Sequence, residues 1–495
     1  MNKILLILFF IGNILNTTTI HGQNNCPLIP CPQSSNRINE TFQLSNRCVI
    51  VYTEEFEPQA YLLQKELLRY TSIAVSVLPD KETQNSNIIC NIIELKKGYK
   101  FNTEGYSLKM HTKDITITAG QPSGMINGVM SLVQLTRLST LQNTLVPIEC
   151  WEIEDSPLYA WRGFMLDEAR HFWGMKKVKQ ILNWMALYKL NRFHWHLTDS
   201  QGWRIEIKKY PRLAEVGGRR DSTQLNWYES TVYDKKPVSG YYTQKDIREI
   251  VAYAAERHIT IVPEIEFPGH ASAAIAAYPW LGCSKKEIPV SCAYGVFSSV
   301  FDIADSRTQQ FVRDVLDEVA ALFPSDIIHI GGDEVKYDEW QNSENIKRLM
   351  EKEKVDSPAG LQIWFANRLS SYLKKKGKKM MGWNDITGDK LHAYHPENAT
   401  QSRLDADNTI VQFWLGTPEI LEKALRRNLK IVNSYCDYTY LNYNYDKIVP
   451  GLEYAHKPIP MEKAYNFYPV PEGWEDRRDL ILGVTCAMWG EWINR

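Results

Sequence analysis

Two adjacent carboxylates, Asp333 and Glu334, close the run His329-Ile330-Gly331-Gly332-Asp333-Glu334. The apolar pair Ile327-Ile328 precedes them, and two glycines stand directly in front of the acids. The pattern predicts a short buried strand ending in a tight turn that exposes both acids. Carboxylates crowded at a strand end suit general acid–base work, because repulsion and burial drive their pKa values apart. A metal-ligand pair or a plain acidic turn would leave the same signature. The elements around the pair carry the argument further.

From Trp161 onward, short apolar runs alternate with helical spacing. Strands are predicted at Gly163–Leu166, Phe193–Leu197, Thr260–Glu264, Ile327–Ile330, Met380–Gly382, Ile410–Phe413, Leu429–Val432 and Ile481–Met488. Between them, Val178, Ile181, Leu182 and Met185 recur at helical spacing, as do Ile247, Ile250, Val251 and Ala254, and Val312, Val315, Leu316 and Val319. Eight strands with intervening helices predict a (β/α)8 barrel over 156–495, in the α/β class. In such a barrel, catalytic side chains sit just after the strands, at one mouth. Those positions hold Asp167 and Arg170, His196 and Asp199, Glu264, Glu266 and His270, Asp333 and Glu334, Trp383 and Asp385, Trp414, Tyr440 and Asn442, and Trp489 and Glu491. Acids, an arginine and several indoles at one mouth have the composition of a carbohydrate site: carboxylates and Arg for hydroxyls, indoles for apolar ring faces.

The 495 residues exceed one ordinary domain, and residues 46–155 predict a smaller α+β domain before the barrel. Within it, Ile115-Thr116-Ile117-Thr118 alternates as a strand, and Met125 to Leu138 reads as a helix after a Gly-Gln-Pro-Ser-Gly turn. Residues 23–45, rich in Asn, Pro and Ser, read as a linker. Residues 1–22 read as a secretory signal: Lys3 supplies the positive start, and Ile4 to Leu15 form an apolar run too short to span a membrane. The expected location is therefore outside the cell or in the periplasm. No later segment is long and apolar enough to predict a membrane span. A net charge of -1 gives no electrostatic case for nucleic acid. Nine cysteines fit an exported protein, with Cys283–Cys292 the favoured disulfide and Cys26–Cys31 a weaker one. Asn39-Glu40-Thr41 and Asn398-Ala399-Thr400 are glycosylation sequons.

Ordinary glycosidases place two carboxyl groups on opposite sides of the scissile bond, about 5 Å or more apart. Sequence neighbours such as Asp333 and Glu334 are poorly placed for that. If Glu334 is the acid, the nucleophile comes from elsewhere, and the 2-acetamido oxygen of the substrate is a candidate. Asp333 would then orient the acetamido N–H and stabilise a cyclic oxazolinium ion.

The motifs in order resemble family 20 of the glycoside hydrolases, the β-N-acetylhexosaminidases. They are Arg162-Gly163-Phe164-Met165-Leu166-Asp167-Glu168-Ala169-Arg170-His171-Phe172, Phe193-His194-Trp195-His196-Leu197-Thr198-Asp199, Gln201-Gly202-Trp203-Arg204, Pro263-Glu264-Ile265-Glu266-Phe267-Pro268-Gly269-His270, His329 to Glu334, and Met488-Trp489-Gly490-Glu491. The resemblance implies an exo-acting, retaining enzyme that removes terminal non-reducing N-acetylglucosamine or N-acetylgalactosamine from a glycan, with no cofactor and no metal. It implies Glu334 as general acid/base, Asp333 on the acetamido nitrogen, Tyr440 on the acetamido oxygen, and Asp199 with His270 as a dyad tuning the acid. It places Trp383, Trp414 and Trp489 as walls of the acetamido pocket, and Arg170 and Glu491 as clamps on the sugar hydroxyls. Asn442 falls near the C6 hydroxyl, where the family often has Asp, and Glu266 also stands where Asp is common. Only Trp492, Ile493, Asn494 and Arg495 follow Glu491, whereas family members continue through an eighth barrel helix. A barrel lacking that helix is expected to expose apolar surface.

Two alternatives remain beside this reading. His194 and His196 form an H-x-H at a strand end, which with His270 and Asp333 would suit a metal-dependent barrel hydrolase. A catalytically impaired carbohydrate-binding protein would keep the pocket and lose the turnover.

Overall fold

Residues Ser34–Leu44 form the edge strand β1 of a sheet, although their polar composition reads as a linker. The computed structural model describes residues 26–83, 91–396, 398–399, 401–444 and 458–493. The chain divides into two compact units at Pro157/Leu158. The expected signal segment, 1–22, lies outside the described residues.

The smaller unit is a mixed sheet of seven strands in the order β1-β7-β5-β6-β4-β2-β3. Its other strands are β2 (Val49–Tyr52), β3 (Ser76–Pro79), β4 (Ile92–Lys97), β5 (Tyr106–Met110), β6 (Asp114–Ala119) and β7 (Val146–Asp155). Helices α1 (Glu57–Thr71) and α2 (Pro122–Arg137) complete it. The apolar alternation of β6 buries Ile115 and Ile117. α2 starts at Pro122, earlier than the apolar periodicity indicates, because proline is preorganised for the first helical position. Gly128 lets α2 approach the sheet: a Cβ there would lie 2.4 Å from Ile117 and 3.0 Å from Tyr106. β1 escaped the pattern because an edge strand with most of its side chains in water needs no alternation; only Phe42 and Leu44 are buried. Its antiparallel pairing with β7 shifts register between Arg37 and Thr41.

In the larger unit, eight parallel strands close into a barrel. They are β8 (Trp161–Asp167), β9 (Arg192–His196), β10 (Thr260–Glu264), β11 (Ile327–His329), β12 (Lys379–Trp383), β13 (Thr409–Phe413), β14 (Lys430–Asn433) and β15 (Ile481–Met488). β15 returns onto β8 with Thr485 opposite Gly163. The match to Gly163 is steric, since a Cβ there would lie 2.1 Å from the Thr485 hydroxyl, which accepts the Trp161 indole N–H at 2.8 Å. Trp161, Val262, Ile327, Met381, Ile410 and Val432 form one cluster of the barrel core. Helix α3 (Gly174–Leu187) buries Val178, Ile181, Leu182 and Met185, and helix α4 (Gln244–Ala255) begins at a capping box of Thr243 and Asp246. Between β9 and α4 the chain makes a long excursion. Buried Arg204 fastens it by donating to the carbonyls of Glu168, Ala169, Gly218 and Gly240.

Neither expected disulfide is present; Cys283 and Cys292 are free thiols, and Cys31 is exposed while Cys26 is buried. The Cys283 N–H donates to Val300, and the Cys292 carbonyl accepts from Gln224. Among the described residues, no helix is long and apolar enough to cross a membrane.

Candidate active site

The strand β11 ends at His329, and the chain turns through Gly331 and Gly332 at φ +65° and +89°. Glycine is needed at Gly331 for space as well, since a Cβ would lie 1.8 Å from a Glu266 carboxyl oxygen. Glu334 and His270 also adopt the left-handed region, at φ +52° and +48°. Non-glycine residues held there store strain, which clusters at functional sites. The turn does not expose both acids as expected. Asp333 is buried and only Glu334 keeps a half-buried carboxylate, because the β10 loop covers the first acid.

His270 ties the acids together. Its Nε2 lies 3.5 Å from Asp333 Oδ2 and 3.5 Å from Glu334 Oε2, and its Nδ1 lies 3.1 Å from Asp199 Oδ1. Burial opposes the His270 cation, but Asp199 and Asp333 outweigh it and hold its pKa well above the usual value. Asp199 is buried too, yet Arg170 and then His270 hold it well below the carboxylate range. Arg170 reaches Asp199 at 2.8 Å, Asp167 at 3.1 Å and Glu491 at 3.8 Å, with its guanidinium 5.1 Å over the Trp489 ring. Burial pushes Asp333 up to about 7, against the pull of His270. Burial, then the charges of Asp333 and Glu264, raise Glu266 well above a normal carboxyl, and neither of its oxygens has a hydrogen-bond partner. Burial and neighbouring carboxylates thus both disfavour the charged form of Glu266.

Aromatic rings form the rest of the cavity. Trp383 ends β12, and Trp414, Tyr440 and Trp489 follow β13, β14 and β15. Tyr440 stacks on Trp414 at 6.2 Å and 7°, and Trp383 lies 5.8 Å from Trp489. Burial raises the Tyr440 phenol well above its ordinary pKa, so its O–H stays a donor. The cavity has a volume of about 560 Å³ and is lined by Asp333, Glu334, His270, Arg170, Tyr440, Asn442, Glu491 and the three tryptophans, with Asp199 directly behind His270; Asp167, His196, Glu264, Glu266 and Asp385, also expected at the mouth, do not line it. The Asn442 side-chain oxygen is buried without a partner. A larger groove of about 1090 Å³ runs along the smaller unit past Arg37 and Trp151. It carries an Arg37–Glu149 ion pair and no convergent acids, so the chemistry belongs to the barrel mouth.

Three groups at or below the floor bring histidine and carboxylate atoms within 4.8 Å: His194/Glu264/His329, His196/Glu264/Glu266 and His270/Asp333/Glu334. The metal-hydrolase set expected from the H-x-H does not converge. His194 and His196 turn to Glu264 at 2.8 and 2.5 Å, and His196 bonds Asp199 at 3.2 Å, while Asp333 belongs to the His270 group. Burial opposes the His196 cation, but Glu264 and Asp199 push its pKa up to about 10; burial takes His194 down to about 4. His196 is thus held between the carboxylates of Glu264 and Asp199.

Sequence reasoning left three residues without a role. Glu264 accepts the Trp383 indole N–H at 2.7 Å and fixes that wall from below. Asp385 and His392 bond each other at 2.7 Å beside Glu334. Asp385 had a signal, its place two residues past Trp383 at a strand end; His392 lies in a loop with no periodicity to mark it.

A parallel barrel whose mouth joins crowded acids, an arginine clamp and an indole box is the architecture of a sugar-cleaving enzyme class. The catalytic domain of glycosyl hydrolase family 20 matches residues 159–495, and domain 2 of the same family matches 25–156. The chain belongs to glycosyl hydrolase family 20. It is 33% identical over 473 residues to a beta-hexosaminidase of Porphyromonas gingivalis, covering 94% of this chain and 57% of that protein. A beta-hexosaminidase of Vibrio furnissii is 37% identical over 409 residues, covering 81% of this chain and 64% of that protein. The chain thus spans less than two thirds of either relative. Among solved structures, an exo beta-N-acetylglucosaminidase of Vibrio harveyi in complex with N-acetylglucosamine superposes with a TM-score of 0.77 at 32% identity, covering 95% of this chain and 70% of that one. A beta-N-acetylhexosaminidase of Bacteroides fragilis gives 0.76 at 31%, with 94% and 86% covered.

Proposed function

We propose that the chain is an exo-acting, retaining β-N-acetylhexosaminidase that removes terminal N-acetylglucosamine or N-acetylgalactosamine from glycans with the substrate's acetamido group as nucleophile. One observation carries this reading: both acids lie 3.5 Å from the same His270 nitrogen, so they meet on one side and do not flank a sugar ring. A retaining reaction then needs a nucleophile from the substrate.

Glu334 protonates the leaving oxygen. Asp333 accepts the acetamido N–H and strengthens its hold as positive charge develops on the oxazolinium ring, which is the condition for raising the rate. Tyr440 donates to the acetamido oxygen, and the tryptophan box holds the group bent toward the anomeric carbon. Arg170 and Glu491 take the hydroxyls of the terminal sugar. Water then opens the ring with Glu334 as base. The N-terminal run Lys3 to Leu15 supports export of the protein, which N-terminal sequencing of the mature chain tests.

The decisive experiment compares 4-nitrophenyl N-acetyl-β-glucosaminide with the plain β-glucoside. The first should be cleaved with the β-anomer as first product by NMR, and the second very poorly because it lacks the nucleophile. Comparable rates on the two, or an α-anomer first, overturn the mechanism; no turnover of either leaves a binding protein.

A further inference from the structure

We infer that Asp385 and His392 form a second Asp–His pair that positions the strained backbone of Glu334 and the Trp414 wall, with His392 as the member facing the cavity. The inference rests on the catalytic role proposed for Glu334.

Glu334 stands at φ +52°, a conformation that a side chain with a Cβ adopts only when its surroundings impose it. The one side-chain bond to its backbone N–H comes from Asp385 Oδ1, at 3.0 Å. The same carboxylate accepts His392 Nε2 on Oδ1 at 2.7 Å and the Trp414 indole N–H on Oδ2 at 2.9 Å. One buried carboxylate therefore ties the acid to a wall of the sugar pocket. Such a charge is tolerated inside a protein only when it is paired and fully hydrogen-bonded. His392 is the cation that pairs it. Its ring lies flat against Tyr394, at 5.0 Å and 3°, and 5.9 Å from Trp414, which fixes the imidazole in plane.

The groups facing His392 are Asp385, Glu334, Asp333, the His395 ring at 5.2 Å, and Tyr394, whose ring also has Lys336 Nζ 5.8 Å from its centroid. Burial works against the His392 cation, but Asp385 first, then Glu334 and Asp333, raise its pKa. Asp385 is held below its usual value despite burial, chiefly by His392. Asp199–His270 acts on the acid side chains, whereas Asp385–His392 holds the backbone that aims them.

Steady-state kinetics and pH profiles of His392→Gln and Asp385→Asn test the pair, with Glu334→Gln as control. Loss of a hydrogen bond to a charged group should lower kcat by about tenfold to a hundredfold in each variant, with a smaller change in KM. In His392→Gln the acidic limb of kcat/KM should also move to higher pH, because Asp333 loses a facing cation while Asp385 keeps its charge. In the isosteric Asp385→Asn that limb should not move up, since the facing anion is gone. Added imidazole should restore part of kcat in His392→Gly. Wild-type kcat in His392→Gln overturns the inference, as does a loss of kcat with the limb unmoved and no imidazole rescue, which is the signature of a purely structural contact. An inactive wild type, or a Glu334→Gln variant as fast as wild type, refutes instead the function on which the inference rests.

Discussion

The two walls of the barrel cavity are built on opposite physical terms. The acid wall, from the ends of β9, β10 and β11, holds residues in left-handed backbone, a carboxyl raised to about 7 and a buried Glu266 with no hydrogen-bond partner. On the aromatic wall, from β12 to β15, the rings are satisfied: the Trp383 and Trp414 indoles donate to Glu264 and Asp385, and the rings pack on one another, while Asn442 and Glu491 at its rim each keep one buried oxygen without a hydrogen-bond partner. Strain and unpaired buried groups cost stability, and they persist here where charge must change during a reaction. The aromatic wall has only to hold a shape. On the proposed mechanism, function is concentrated in the strained acid wall, while the aromatic rings supply rigidity.

The sharpest way to break this contrast is Glu334→Gln. Removing a general acid should lower turnover by about 10²–10⁴-fold, and azide should partly restore the rate on an activated glycoside. A rate near wild type on an unactivated disaccharide would place the chemistry elsewhere.

Asp333→Asn comes next, with an expected loss of about 10²–10³-fold, comparable to removing one preorganised electrostatic partner. Its pH signature sharpens the comparison. On the proposed mechanism Asp333 must be ionised to stabilise a positive ring, and burial raises it to about 7, so wild-type kcat/KM should fall as pH drops through that region. The Asn variant should lose that acidic limb, which a pH series on the free enzyme measures.

On the aromatic wall the effects should be smaller. Tyr440→Phe removes one neutral hydrogen bond and should cost about fivefold to tenfold in kcat/KM. Trp383→Phe should leave catalysis least affected and show mainly in urea unfolding. It removes one donor from buried, ionised Glu264, a loss of about 1.5–3 kcal/mol. If Trp383→Phe damaged kcat as severely as Glu334→Gln, the division between working and holding walls would fail.

The same division separates what could be read from residue order. All eight barrel strands lie where short apolar runs and intervening helical periodicity place them, and the cavity gathers ten of the residues expected at the strand ends, while Asp167, His196, Asp199, Glu264, Glu266 and Asp385 lie outside its lining. Those signals are local: a strand's period and a motif's spacing survive without knowledge of what lies across the fold. β1 was misread because an edge strand in water carries no period, and the Cys283–Cys292 bridge failed because proximity in a loop says nothing about which backbone bonds hold each end.

The sequence by itself determined the barrel, the family and the place of the adjacent acids Asp333 and Glu334 at a strand end, since each rests on patterns confined to short stretches of chain. Only the tertiary structure decided how those acids behave. It buried Asp333 under the β10 loop, raised the pKa of Glu266 beside it, and brought His270 between three carboxylates. It also carried His392 from an unpatterned loop onto Asp385, behind the backbone of Glu334. The physical reason is that protonation and aim depend on dielectric and on neighbours distant in sequence, and both exist only once the chain has closed.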